Sequence, residues 1–234
     1  MVLKRRKHSP LMKRSLIAHE NPMSPISEQY RTIRTNLDFA SVDRELHMMT
    51  VTSAGPSEGK SLTTANLAVV FAQQGKKVLL VDADMRKPTV HYTFRLDNVA
   101  GLSNYIAGHD HSLTNLINGS RVENLDIMTS GPIPPNPSEL LGSQKMKDFL
   151  QEVKQEYDLV IFDSPPVLAV TDSQVLTSQT NGTLLVVRNK RTEKEAAKRA
   201  KELLEQAKAN VLGMVLNDVP QKESGYYVYY GTEK

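Results

Sequence analysis

Met48-Met49-Thr50-Val51-Thr52 leads into Ala54-Gly55-Pro56-Ser57-Glu58-Gly59-Lys60-Ser61. An apolar, strand-like run ends in a loop of mostly small residues, and the loop closes on Lys-Ser where a helical pattern begins. Small residues let backbone N–H groups curl around an anion, and the helix that follows adds the positive end of its dipole. Lys60 is placed to reach β and γ phosphates, and the Ser61 hydroxyl to ligate Mg²⁺. The stretch reads as a P-loop, and the substrate class as a nucleoside triphosphate with Mg²⁺. The cradle comprises Gly55, Pro56, Ser57, Glu58, Gly59, Lys60, Ser61 and Leu62. The usual pattern opens on Gly where this chain has Ala54; the closing Gly59-Lys60-Ser61 carries most of the chemistry.

On the C-terminal side of the loop, Ser61 to Gln74 has apolar residues at helical spacing, and Gly75 stands where a glycine closes a helix. Val78-Leu79-Leu80-Val81 is a continuous apolar run, as expected of a parallel strand buried on both faces. Residues 86–125 are weakly periodic. Leu125 to Thr129 reads as a further strand, and Asn136-Pro137-Ser138-Glu139 as the start of a helix reaching about Glu156. Leu159 to Phe162, Thr183 to Val187 and Val211 to Leu216 read as strands. Thr192-Glu193-Lys194-Glu195 reads as a capping box opening a helix to about Ala209. Upstream, Ser27 to Ala40 reads as a helix capped by Ser27, with Ile33 and Leu37 at i and i+4. Alternating strands and helices define an α/β class: a P-loop NTPase with a mostly parallel central sheet and helices on both faces. In such sheets ligands sit at the carboxyl ends of the strands.

The 234 residues suffice for one large domain with tails. The chain has no cysteine, which excludes disulfides and thiolate metal sites and fits a reducing cytosol. No apolar run approaches the roughly 20 residues that span a bilayer, so a soluble protein, or one held at a membrane by something else, is expected. Residues 1–19 hold Lys4, Arg5, Arg6, Lys7, Lys13 and Arg14 and no acid; removing those six charges from the net +3 leaves −3 for the rest. The body is therefore not a basic nucleic-acid binder. Residues 1–25, with Pro10, Pro22 and Pro25, read as a flexible basic arm, either a solvated tail or a contact for an anionic membrane surface. The expected organisation is this arm, a domain over 26–220, and a tail over 221–234.

Two further acidic clusters end apolar strands. Val81 is followed by Asp82-Ala83-Asp84-Met85-Arg86-Lys87-Pro88, and Phe162 by Asp163-Ser164-Pro165-Pro166. A bare carboxylate at the end of a buried strand is costly unless it is paired or metal-bound. Asp163 fits the acid that holds Mg²⁺ opposite Ser61, with Asp82 and Asp84 adding carboxylates near the same ion. Arg86 and Lys87 are either phosphate-screening charges or solvated surface. The six histidines show no ligand spacing, so no metal beyond Mg²⁺ is expected.

The P-loop, the apolar-Asp-x-Asp-x-Arg strand end and the apolar-Asp-x-Pro-Pro strand end together resemble the bacterial protein-tyrosine kinases (BY-kinases) of capsule and exopolysaccharide operons, whose motifs are termed Walker A, A′ and B. Glu28-Gln29-Tyr30-Arg31-Thr32-Ile33-Arg34 is similar to that family's ExxRxxR helix, here within 26–40, and Gly131-Pro132-Ile133-Pro134-Pro135-Asn136-Pro137-Ser138-Glu139-Leu140-Leu141 to another family stretch. The resemblance covers roughly 25–230. It implies ATP as nucleotide, with Lys60, Asp82, Asp84 and Asp163 as catalytic residues. Ser61, Asp84 and Asp163 would set Mg²⁺, and Asp82 would orient the tyrosine hydroxyl and take its proton. An Asp near pKa 4 facing a Tyr near 10 leaves a gap of about 8 kcal/mol, so the proton moves late. Glu28, Arg31 and Arg34, at i, i+3 and i+6, would face one neighbouring subunit in a ring, an octamer by resemblance. A separate membrane-spanning activator would recruit the chain to the inner face of the membrane. Asn217, after the last strand, is either an adenine reader, as in related ATPases, or a turn residue.

Four of the eight tyrosines, Tyr226, Tyr227, Tyr229 and Tyr230, fall within five residues beyond the last strand. They read either as an aromatic packing segment or as accessible phosphoacceptors, and the family carries such a tail and phosphorylates it between subunits. Two other functions stay open: a positioning or partitioning ATPase switch, which usually carries a second lysine where this chain has Gly55, and an ATP-binding structural ring that regulates polysaccharide export.

Overall fold

The computed structural model describes residues 15–41, 45–109 and 112–220. The chain opens with helices α1 (Ile17–Glu20) and α2 (Pro25–Ala40), then strand β1 (Met48–Ser53) and helix α3 (Lys60–Ala72) on either side of the P-loop. Next come β2 (Val78–Asp82), the short helices α4 (Val90–Phe94), α5 (Leu102–Ile106) and α6 (Leu113–Leu116), and strands β3 (Ile117–Gly119) and β4 (Leu125–Met128). The remainder is α7 (Pro137–Leu141), α8 (Gln144–Glu156), β5 (Leu159–Asp163), α9 (Asp172–Thr177), β6 (Gly182–Arg188), α10 (Lys194–Gln206) and β7 (Val211–Asn217).

The seven strands are ordered β3-β4-β2-β5-β1-β6-β7. Every pairing is parallel except β3 with β4, a three-residue edge strand in the segment whose elements are too short to show a period. The apolar strands alternate their side chains between two layers. Val78 and Leu80 of β2 and Leu159 and Ile161 of β5 pack with α3 residues Ala68 and Phe71. Leu79, Val81, Val160 and Phe162 pack on the other face with Leu102, Phe149 and Val153. Burial on both faces is why these strands read as unbroken apolar runs. Helix α3 is buried along most of its length, matching its Ala- and Val-rich sequence.

Four local expectations change. Residues 15–25 are not part of an arm: Ala18 is fully buried, its N–H bonds Asn66 Oδ1 at 3.0 Å, and its carbonyl accepts from Gln73 Nε2 at 3.0 Å. Polar side chains on α3 thus find their partners in the backbone of α1, which straps this segment to the core. Helix α2 starts at Pro25, and its cap is Ser24, which accepts from Ser27 N–H at 3.1 Å; the Ser27 hydroxyl instead donates to Asn21 O at 2.7 Å. The helix foreseen from Asn136 to Glu156 is two, broken at Gly142 and restarted by a Ser143 cap on Met146 N–H. Helix α10 starts at Lys194, and the Thr192 hydroxyl is used elsewhere. The basic residues 1–14 and the tyrosine segment 221–234 lie outside the described residues.

Candidate active site

Strand β5 lies between β2 and β1, so Asp163 is in register with Asp82 on one side and Val51 on the other. Three carboxyl ends therefore meet: the P-loop after β1, Asp82 and Asp84 at β2, and Asp163 at β5. The P-loop turns on two left-handed residues, Ser57 (φ 62°) and Gly59 (φ 92°). A Cβ on Gly59 would lie 2.0 Å from Asn217 Nδ2, so only glycine fits. Ala54 has no positive φ and is fully buried beside Val167 and Leu185, which explains why alanine serves where glycine is usual. Pro56 and Ser57 form the exposed tip, and Leu62 belongs to the first turn of α3.

Lys60 is buried. Its Nζ lies 2.9 Å from Asp84 Oδ2, 3.2 Å from Asp163 Oδ1 and 3.2 Å from Ser61 Oγ. Burial alone would lower its pKa, but the attraction of Asp163 and Asp84 leaves it above its ordinary value, so the ammonium is charged. Burial pushes the Asp163 carboxyl up, against the pull of Lys60. Its second oxygen, Oδ2, is buried with no hydrogen-bond partner among the described residues.

Asp82 is fully buried. Its Oδ2 accepts from Thr89 and Val90 N–H, both at 2.9 Å, and its Oδ1 from Asp84 N–H at 3.2 Å. Burial, then repulsion from Asp163, raise its pKa to about 7, against the lowering effect of those amides and of Lys60. Asp84 Oδ1 accepts from Lys87 N–H at 3.0 Å. Arg86 is turned to Asp172 in a bidentate pair, Nε and Nη2 each 2.9 Å from a carboxylate oxygen, while the Lys87 side chain is exposed. Asn217 comes to the cradle from β7, donating to Glu58 O at 2.9 Å.

Sequence reasoning missed Asp172 and Arg188, and took Thr192 only for part of a capping box. Asp172 opens α9, 86 positions from its partner Arg86, so the pairing carries no local signal. On α2, Glu28 and Arg31 pair at the surface, whereas Arg34 turns inward, Nη1 donating to Val70 O at 3.0 Å. The three therefore do not share one outward face. A cavity of about 460 Å³ at the opposite end of the sheet, lined by His47, Lys147, Lys154 and Asn181 among others, touches none of these residues. No helix among the described residues is long and apolar enough to cross a membrane.

A P-loop at a parallel sheet's carboxyl edge, faced by two acidic strand ends, defines a P-loop NTPase-type site. The model of the AAA domain family matches residues 46–211. The chain is 51% identical over 229 residues to the tyrosine-protein kinase YwqD of Bacillus subtilis, covering 98% of this chain and 96% of that one. It is 44% identical over 219 residues to the putative tyrosine-protein kinase CapB of Staphylococcus aureus, covering 93% and 96%. The solved kinase domain of Escherichia coli tyrosine kinase ETK superposes with a TM-score of 0.85 at 37% identity, covering 97% and 89%. The chain belongs to the AAA domain family and, within it, to the bacterial tyrosine-protein kinases.

Proposed function

We propose that this chain transfers the γ-phosphoryl group of ATP to protein tyrosines, among them Tyr226, Tyr227, Tyr229 and Tyr230 of a neighbouring subunit, and thereby regulates capsular or extracellular polysaccharide synthesis and export. The observation that carries the reading is the meeting of Lys60, Ser61, Asp82, Asp84 and Asp163 at three adjacent strand ends.

The donor set fits a divalent cation. Ser61 Oγ, Asp84 Oδ2 and Asp163 Oδ1 already surround one cationic atom, and Asp163 keeps a buried, unpartnered acceptor. Among the described residues no three His, Cys, Asp or Glu side chains form a metal cluster. That suits Mg²⁺, which keeps waters and substrate phosphates and takes only one or two protein carboxylates. Ser61, Asp84 and Asp163 would hold it, and when bound it neutralises charge on the phosphate oxygens. Lys60 and the loop N–H groups hold the β and γ phosphates, so catalysis rests on positioning and charge stabilisation. Asp82 orients the tyrosine hydroxyl and accepts its proton. Burial and the neighbouring Asp163 raise its pKa to about 7, towards that of the phenol, so the proton faces a smaller gap than an ordinary Asp would leave.

The exposed apolar residues Met23, Ile26 and Phe39 beside and on α2 support an assembly surface there, with a ring as its product. A membrane-spanning activator completes the reading and holds the kinase at the cytoplasmic face. The test is incubation of the purified full chain with Mg²⁺ and γ-labelled ATP. Label on tyrosines of residues 226–230, absent from Lys60→Met, is expected; a parent chain that hydrolyses ATP without labelling any tyrosine overturns the proposal.

A further inference from the structure

The P-loop is gripped from outside by side chains that phosphoryl transfer does not itself use. Thr192 Oγ1 donates to Glu58 Oε1 at 2.6 Å and accepts Arg188 N–H at 2.8 Å. Arg188 Nη1 donates to Ser57 O at 3.2 Å, while its Nε and Nη2 each hold Asp218 Oδ2 at 2.8 Å. The turn between β6 and α10 and the end of β7 thus close around Ser57 and Glu58. Those two residues lie in the stretch where the loop departs most from ordinary backbone, at Ser57 and Gly59. A non-glycine residue held at positive φ persists only where its surroundings enforce it.

Glu58 is an odd occupant of a phosphate cradle. The residue is 4% exposed, and its Oε2 has no hydrogen-bond partner among the described residues. A negative charge beside a triphosphate opposes binding. The useful property of this side chain is therefore the oxygen it offers to Thr192. Glu58 O, at the same residue, is held by Asn217, so side chain and backbone are fixed from two different elements.

We propose that Glu58 and Thr192 are positioning residues: their hydrogen bond fixes the phosphate cradle in its binding shape and so sets nucleotide affinity, through an acceptor oxygen and not through charge. The proposal rests on the nucleotide reading of the P-loop given above.

The test uses the full chain and titrates Mg-ADP by calorimetry, alongside the rate at saturating ATP and the melting curve. Thr192→Val removes the donor to Glu58, and with it the acceptor of Arg188 N–H, at nearly constant shape; it should weaken Mg-ADP about tenfold, raising KM more than it lowers kcat. Thr192→Ser should restore affinity. Glu58→Gln keeps an acceptor and should bind more tightly than Glu58→Ala. The double variant Glu58→Ala, Thr192→Val should be no weaker than Thr192→Val alone, because Thr192→Val has already removed the bond to Glu58 together with the one from Arg188 N–H. Parent-like affinity in Thr192→Val, additive losses in the double variant, or Glu58→Gln as weak as Glu58→Ala would overturn the clasp. So would a loss that merely tracks a smaller folded fraction. A parent that binds no Mg-ADP overturns the nucleotide reading and the clasp together; a parent that binds, with Thr192→Val unaltered, overturns the clasp alone.

Discussion

Lys60 Nζ stands between Asp84 Oδ2, at 2.9 Å, and Asp163 Oδ1, at 3.2 Å, in a site where all three side chains are nearly or fully buried. The lysine, the proposed phosphate anchor, is also the counter-ion that lets two carboxylates stay in the interior. Lys60→Met should therefore abolish transfer and also destabilise the chain, by about 3 kcal/mol, since removing one partner strands buried charge. For a chain of this size that lowers the melting temperature by about 6–12 °C. Added Mg²⁺ should recover part of the loss by supplying positive charge to the same oxygens. Calorimetric melts with and without Mg²⁺ check this; a Lys60→Met chain as stable as the parent in EDTA would contradict it.

Asp82 gives a pH dependence with a defined sign. Its carboxyl holds a proton up to about pH 7 in the folded chain and only to about pH 4 unfolded, so between those values the folded state binds more protons. This group then contributes a loss of stability as pH rises from about 4 to about 7. Activity runs the other way, because only the ionised form accepts a proton. The rate at limiting ATP, which reports the free chain, should climb with pH and level off above about 7. Asp82→Asn should lose transfer, and compared with the parent should gain more stability at pH 8 than at pH 5. Flat rates between pH 5.5 and 8 would remove Asp82 from the proton's path.

The sheet was legible because burial on both faces leaves a direct mark: Val78 to Val81 and Leu159 to Phe162 are unbroken apolar runs, and each ends in Asp. What failed was whatever depends on contacts distant in sequence. Thr192 carries a Thr-x-x-Glu pattern, but its hydroxyl is claimed by Glu58, 134 positions away. Ser27 reads as the cap of α2, but its hydroxyl is drawn inward by Ile17 O and Asn21 O, and Ser24 caps the helix instead. The burial of Lys60 follows only from β5 lying between β1 and β2, a sheet order that no local pattern states.

The structure gives Arg86 a choice between screening phosphates and tying the segment after β2 to the start of α9. Its bidentate grip on the fully buried Asp172 favours the second. Arg86→Ala and Asp172→Asn should then slow transfer alike while leaving Mg-ADP affinity near the parent's. Because the Arg86 side chain is itself 41% exposed, its loss should destabilise by only about 1–2 kcal/mol. A large fall in nucleotide affinity in Arg86→Ala, not shared by Asp172→Asn, would restore the phosphate role.

On α2 the proposed assembly role and the folding role fall on different residues. Glu28 and Arg31 pair on its surface, and Arg34 is tied to Val70 O of α3. Replacing Glu28 and Arg31 with Ala should lower the mass seen by light scattering with little change in melting temperature. Arg34→Ala should lower the melting temperature first. An unchanged mass in the Glu28, Arg31 variant would remove this face from the assembly.

Transfer between subunits is the most exposed part of the proposed function. Eight residues separate Asn217, beside the P-loop, from Tyr226. At about 3.5 Å per residue that linker reaches roughly 30 Å, so length alone does not forbid attack on the chain's own site. The two geometries are separated by mixing defective chains. Lys60→Met keeps its tail and lacks the anchor; a chain lacking residues 221–234 keeps the site and lacks the acceptors. Neither should label its tail alone. Together, label should appear on the Lys60→Met chain at a rate that rises with total concentration, and less so when Glu28 and Arg31 are also replaced. If mixed assemblies form and the Lys60→Met chain still carries no label where the parent reacts, transfer runs within one chain, and the assembly serves something other than delivery of the tail.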